Sequence, residues 1–332
     1  MNLLLVSDEN YAMQLTVLMT SILNNNYDDF DEINFYILSN NITDSSLEKI
    51  RSLETIYEKI NLIIISNTEI EKKLEDIKDK LPSSDKSTSY YYRMFAASIL
   101  PNVDKILYMD VDIVTNGSLI DLYNTSVDSY YGAGVIDINE TGFKEELNMD
   151  PNDIYVNSGV LLMNLQKWRE DNIQDQIIDF INKTTNKELL YDQHIINHTL
   201  KNNIKVLEPK NNVLTHMSVL PYKRFMGIFR MKDHVFSEKE YNEAHTNPVC
   251  IHFITSPWRR PWESNCKHPY IDLFFKYKNL SPFADHEIKY RVMPESYMWK
   301  AAINRFIFTK FPVKLAAYMN KHNILNLKWL LG

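Results

Sequence analysis

Residues Lys105 to Val114 read Lys-Ile-Leu-Tyr-Met-Asp-Val-Asp-Ile-Val, an apolar strand pattern that delivers two carboxylates, Asp110 and Asp112, one residue apart. Alternating residues of an extended chain point to the same side, so both carboxylates can face one point in space. Like charges held that close repel unless something positive sits between them, and hard oxygen ligands suit Mn²⁺ or Mg²⁺. A bare Asp-x-Asp also punctuates ordinary strand ends, so the pattern needs partners. A late apolar run, Val249 to Ile254, supplies His252 near its end, and Arg259-Arg260-Pro261-Trp262 follows. Strands of one parallel sheet end on the same side, so His252 is expected beside Asp110 at the edge of a shared sheet. Imidazole with two carboxylates favours Mn²⁺ over Mg²⁺, because nitrogen is the softer ligand. Arg260 is the expected partner of a departing diphosphate, with Arg259 and Lys267 as alternatives.

The elements that must position these residues alternate. Leu3 to Val6, Ile33 to Leu38 and Ile60 to Ile65 are short apolar runs that read as buried strands. Helical patterns cover Tyr11 to Leu23 and Ser45 to Tyr57. A third helix is expected over Ser87 to Ser98, leading into the strand before Asp110. Further strands follow at Tyr131 to Ile136 and Tyr155 to Asn164, and helices at Leu165 to Asn182 and Asp192 to Leu200. The alternation predicts an α/β fold with a mostly parallel, Rossmann-like sheet flanked by helices.

The chain has 332 residues, of which 45% are apolar, and only seven are glycine. No glycine-rich phosphate loop is present, so a nucleotide here must be held by a metal and side chains. A net charge of −7 excludes a general nucleic-acid binder. Cys250 and Cys266, the only cysteines, do not make a disulfide framework, and no run approaches about 20 apolar residues. With no basic leader at Met1, the expectation is a cytoplasmic protein without a membrane span.

Composition shifts near residue 282, which divides the chain into a catalytic domain, 1–282, and a C-terminal extension, 283–332. From Asp285 onward eight Lys and Arg face three Asp and Glu, a net +5 that leaves −12 for the remainder. The cations Lys289, Arg291, Lys300, Arg305, Lys310, Lys314, Lys321 and Lys328 interleave with Trp299, Ile303, Phe306, Ile307, Phe311, Leu315, Tyr318, Met319, Leu325, Leu327 and Trp329. Such a basic amphipathic helical tail suits the anionic inner face of a membrane, and equally a helical cap on the catalytic domain.

Six segments in collinear order carry a resemblance. They are Ser7-Asp8-Glu9-Asn10-Tyr11, Tyr91-Tyr92-Arg93, Leu107 to Asp112, Tyr155 to Leu165, Tyr191-Asp192-Gln193 and Ile251-His252-Phe253. Together they resemble glycosyltransferase family 8, the retaining enzymes of GT-A fold that include bacterial galactosyl- and glucosyltransferases and glycogenin. The resemblance implies transfer of glucose or galactose from a UDP-sugar to a surface-glycan acceptor, either lipid-linked or on a glycoprotein. It implies that Asp8, Asn10 and Tyr11 hold uridine, that Asp110, Asp112 and His252 bind Mn²⁺, and that Arg93, Asn157, Asp192 and Gln193 surround the transferred sugar. Two catalytic roles remain open: Gln193 stabilising charge at the anomeric carbon, or Asp192 as a nucleophile. Thr255 stands where the bacterial galactosyltransferases have glycine, and Arg260-Pro261-Trp262 arrives two residues later than their Lys-Pro-Trp. A non-catalytic transferase-like subunit that binds nucleotide or glycan is the alternative reading. His194, His198 and His216 are expected to be ordinary polar residues, and Trp258 and Trp262 to pack or to flank an acceptor.

Overall fold

The computed structural model describes residues 1–66, 68–82, 88–138, 143–231, 235–254, 257–288, 290, 294–322 and 324. Ser87, Thr255, Lys289, Arg291, Leu325, Leu327, Lys328 and Trp329 lie outside the described residues.

A seven-stranded sheet runs β3(Ile60–Ser66), β2(Ile33–Asn40), β1(Asn2–Asp8), β4(Lys105–Met109), β7(Val156–Asn164), β6(Gly132–Ile136), β8(Ile204–Val206). Neighbours are parallel except where β7 runs against β4 and β6. It is therefore the mostly parallel sheet flanked by helices that the alternation predicts. Two-residue periodicity gives it two cores. Leu3, Leu5, Leu107 and Met109 pack one face with helix Ala12–Asn26, while Leu4, Val6, Ile106 and Tyr108 pack the other with Tyr91, Tyr92 and Phe95. Helix Ala12–Asn26 is buried almost all round, and its hydroxyls turn inward onto its own backbone. Thr16, Thr20 and Ser21 donate to the carbonyls of Ala12, Thr16 and Leu18 at 2.7, 2.8 and 2.7 Å.

The Lys105 to Val114 run is not one strand. It turns at Asp110–Asp112, and β5(Ile113–Thr115) leaves the main sheet to join a three-stranded sheet, β5–β10(Cys250–His252)–β9(Val213–Leu214). The expectation that His252 ends a strand of the main sheet is therefore corrected. It reaches Asp110 from a second sheet, because β10 pairs antiparallel with the strand immediately after the two aspartates, with His252 opposite Ile113. Phe253 N–H then donates to the Asp112 carbonyl at 2.9 Å, fastening the two segments together.

Three expected helices also break. Leu165 to Asn182 divides into Leu165–Glu170 and Ile173–Lys183 at Asn172, whose φ of 52° is left-handed. Ser45 to Tyr57 divides into Asp44–Arg51 and Leu53–Ile56, and the segment before β4 is a 3₁₀ turn over Thr88–Phe95 followed by Ala96–Ile99.

The extension packs on the body through helices Glu295–Lys310 and Val313–Lys321, which Pro312 separates. Ala301, Asn304, Ile307 and Phe308 are buried, and the Arg224 guanidinium closes the end of the first helix by donating to the carbonyls of Ile307, Phe308 and Phe311. Trp299, Ile303 and Phe306, spaced four and three apart, share the opposite face and are exposed. Among the described residues no helix is long and apolar enough to cross a membrane.

Candidate active site

Strand order reverses at β1, which lies between β2 and β4, so the crevice beyond these strand ends is where an open α/β sheet can receive a ligand. A cavity of about 770 Å³ opens there, lined by Asp8, Asn10, Tyr11, Arg93, Asp110, Asp112, Asn157, Asp192, Gln193, His252 and Arg260, all singled out from sequence. Because β7 is antiparallel to β4, its first residues, Asn157 and Ser158, arrive at the end of the sheet where β4 stops. Asp110 N–H donates to the Gly159 carbonyl at 2.8 Å across that junction.

One oxygen each from Asp110 and Asp112 and one nitrogen of His252 lie within 4.8 Å of one another. His252 Nε2 is 3.0 Å from Asp112 and 3.8 Å from Asp110, and its Nδ1 donates to the Asn212 amide oxygen at 3.1 Å, which leaves Nε2 as the ligand atom. Two hard oxygens and an imidazole are a donor set that a divalent cation such as Mn²⁺ fits. The room for one is made by Gly159. A Cβ there would stand 2.4 Å from His252 Cε1 and 2.8 Å from Asp110 Oδ2. Burial works to lower the His252 pKa, but Asp112 and Asp110 override it and raise it. Burial likewise works to raise the Asp112 pKa, but His252 and Arg260 hold its carboxyl well below the usual range. His252 Nε2 thus faces both carboxylates, and a divalent cation held there would take that nitrogen free of its proton.

Arg93, 3% exposed, joins this cluster to the far end of the cavity. It lies 3.4 Å from Asp110 Oδ1, donates to the Ser158 carbonyl at 2.7 Å, forms an ion pair with Asp192 and stacks 4.0 Å from the Tyr108 ring centre. Burial raises the Asp192 pKa, with Arg93 opposing it. Asp192 and Gln193 are the first two residues of helix Asp192–Leu200, and both line the cavity. The Gln193 Oε1 accepts from Ser158 N–H at 3.1 Å and from Asn157 Nδ2 at 3.2 Å.

At the β1 end, Asp8 caps the 3₁₀ turn Glu9–Tyr11 by accepting from Asn10 N–H at 3.0 Å. Of the three basic candidates, Arg260 is the one at the cluster. Its guanidinium donates to Asp112 at 2.7 Å, to Tyr11 Oη at 3.0 Å and to the Phe253 carbonyl at 3.0 Å. Arg259 is buried beside Met298 and Tyr297, and Lys267 is exposed and outside the cavity lining. Trp258 is buried against His216 and Phe308 and is not free to flank an acceptor. Trp262 meets Tyr11 edge-on.

Sequence reasoning missed four members. Tyr108, whose hydroxyl donates to Asp110 Oδ1 at 2.5 Å, was available from the same alternation that pairs the aspartates. Asp137 accepts from Asn157 Nδ2 at 2.9 Å, and Asn212 orients His252. Neither has a local signal, since each is brought in by pairing far along the chain. Gly159 stood inside a quoted motif, but its role appears only when three strands meet.

The fold is that of the GT-A class. It superposes on a crystal structure of galactosyltransferase LgtC, solved in complex with donor and acceptor sugar analogs, with a TM-score of 0.68 over 90% of this chain and 99% of that one, at 21% identity. The sequence profile of glycosyl transferase family 8 matches residues 2–266, and the chain belongs to that family. General stress protein A of Bacillus subtilis is 26% identical over 83% of this chain and 92% of its own length. A lipopolysaccharide 1,2-glucosyltransferase of Escherichia coli is 27% identical over 91% and 84% respectively. The protein is a glycosyltransferase.

Gly159→Ala is expected to weaken Mn²⁺ binding, followed by titration calorimetry, by at least about tenfold while the chain remains folded by circular dichroism. Unchanged Mn²⁺ affinity would show that the three groups do not act together as ligands.

Proposed function

We propose that the protein is a metal-dependent, retaining hexosyltransferase that moves glucose or galactose from a UDP-sugar to a surface-glycan acceptor, with residues 1–282 as the catalytic unit. The observation that carries this reading is the meeting, in one cavity, of the Asp110–Asp112–His252 cluster with Arg260 on one side and the Arg93–Asp192–Gln193 group on the other. Asp8, Asn10 and Tyr11 at the β1 end take the uridine. The E. coli relative's name leans the donor toward glucose and the acceptor toward a lipid-linked saccharide.

Asp110, Asp112 and His252 would hold a Mn²⁺, with Mg²⁺ the alternative ion, and that ion would supply positive charge to stabilise the diphosphate as a leaving group. Arg260 exchanges part of its pairing with Asp112 for a phosphate oxygen, adding a second positive charge on the same side. As the bond between the anomeric carbon and the diphosphate breaks, the acceptor oxygen bonds that carbon from the same face. Its proton passes to the departing phosphate oxygen. The Gln193 carbonyl oxygen faces the developing positive charge from the opposite side. Asp192, held as the counter-ion of Arg93, is placed to accept from a sugar hydroxyl and is a poor nucleophile while so paired.

The extension is proposed to bring the enzyme to the inner face of the cell membrane through the exposed Trp299, Ile303 and Phe306 and their neighbouring cations. Sedimentation with anionic liposomes should fall when residues 285–332 are deleted, and equal sedimentation of both proteins would refute the placement.

The donor is tested by UDP release over a panel of nucleotide sugars. UDP-glucose or UDP-galactose should be hydrolysed slowly without acceptor. Gln193→Ala is expected to retain measurable transfer at a kcat lowered roughly tenfold or more. A trapped glycosyl adduct on Asp192 in mass spectrometry would replace same-face attack with a covalent mechanism. Tight UDP binding without turnover, even with a glycan acceptor library, would favour a binding subunit.

A further inference from the structure

An amide such as that of Gln193 has two ends of similar shape and opposite chemistry. For its oxygen to meet positive charge, something must prevent a half-turn that would present the NH₂ group instead. The reading of Gln193 given above is taken as the starting point.

Three contacts bear on that choice. Gln193 Oε1 accepts from Ser158 N–H at 3.1 Å and from Asn157 Nδ2 at 3.2 Å, both from residues that line the cavity. Gln193 Nε2 points the other way, 3.4 Å from the hydroxyl of Tyr155, a side chain with no exposed surface. That hydroxyl in turn lies 2.6 Å from Nδ1 of His194, whose ring packs 4.3 Å from that of Phe143.

We propose that Tyr155 and His194 are positioning residues that fix the orientation of the Gln193 amide through a directed hydrogen-bond chain, Gln193 Nε2–H to Tyr155 Oη–H to His194 Nδ1. Burial pushes the His194 pKa down to about 4, so the imidazole is neutral near pH 7, and the proposed chain takes its tautomer with the proton on Nε2, in which Nδ1 accepts. The Tyr155 proton goes to that nitrogen, and the phenol oxygen is left as an acceptor that takes an N–H and repels a carbonyl. A flipped Gln193 would set oxygen against oxygen at Tyr155 and NH₂ against the N–H of Ser158. Both ends therefore reject the half-turn, and the carbonyl oxygen stays toward Ser158 and Asn157, which line the cavity. His194 follows Gln193 on the same helix, so the base of the chain and the residue it orients move as one unit.

The test is a double-mutant cycle on the full chain, reading kcat and KM for UDP release and, separately, affinity for UDP with Mn²⁺. Tyr155→Phe keeps the packing and removes only the hydroxyl. It is expected to lower kcat roughly three- to tenfold, with KM and UDP affinity unchanged. His194→Phe should give a similar loss that does not add to that of Tyr155→Phe. In a Gln193→Ala background, Tyr155→Phe should change kcat by no more than about twofold. An equal kcat loss from Tyr155→Phe in both backgrounds, or a loss that appears in UDP affinity, would overturn the proposal and leave Gln193 its role. A Gln193→Ala enzyme with unchanged kcat would instead overturn the reading of Gln193 and this proposal with it.

Discussion

Two carboxylates one residue apart at the mouth of a buried crevice must be neutralised, and much of the structure around the site answers to that constraint. Two arginines and a histidine converge on them from distant parts of the chain: Arg93 on Asp110, and His252 with Arg260 on Asp112. Each is anchored elsewhere as well. Arg93 holds the Ser158 carbonyl and Asp192, His252 is turned by Asn212, and Arg260 is tied to Tyr11 and the Phe253 carbonyl. The charge pairing therefore also fixes the relative position of the nucleotide end and the sugar end of the cavity. Gly159 allows the approach, since any side chain there would occupy the space between Asp110 and His252.

The second sheet explains how a late segment joins an early one. β5 follows Asp112 directly and pairs with β10, so the register that sets His252 opposite Ile113 also sets the imidazole beside the aspartates. The loop after β10 carries Arg260, and the extension supports that loop: Arg305 donates to the Pro257 carbonyl at 3.1 Å, and Met298 and Tyr297 lie against Arg259. The helix whose exposed face bears Trp299 and Phe306 thus rests with its other face on the loop that presents a site arginine.

Local patterns made the first half of the fold legible. Leu3 to Val6 is buried on both faces of the parallel sheet, while the runs at Ile33 and Ile60 bury alternate residues, Ile33, Phe35 and Ile37 in one and Ile60 and Leu62 in the other, so period and burial agree there. The Asp110 and Asp112 pair was legible because its chemistry lies within one segment. The reading failed where a strand was assumed to continue: Lys105 to Val114 looks uninterrupted by composition, but the chain turns at the aspartates and changes sheet. It also failed at Asn172, where one left-handed residue ends a helix whose apolar pattern runs on. Asp137, Asn212 and the Tyr155–His194 pair act through contacts made across the fold, and no spacing in the sequence announces them.

The proposed chemistry requires Asp110, Asp112 and His252 to act as one cation site that supports a nucleoside diphosphate. Titration calorimetry of UDP into the protein, with Mn²⁺ and with EDTA, tests this most directly when repeated with His252→Ala. The account predicts binding at least about tenfold tighter with Mn²⁺, and loss of that difference in the variant. UDP affinity that is the same with Mn²⁺ and with EDTA in the unaltered protein would contradict it.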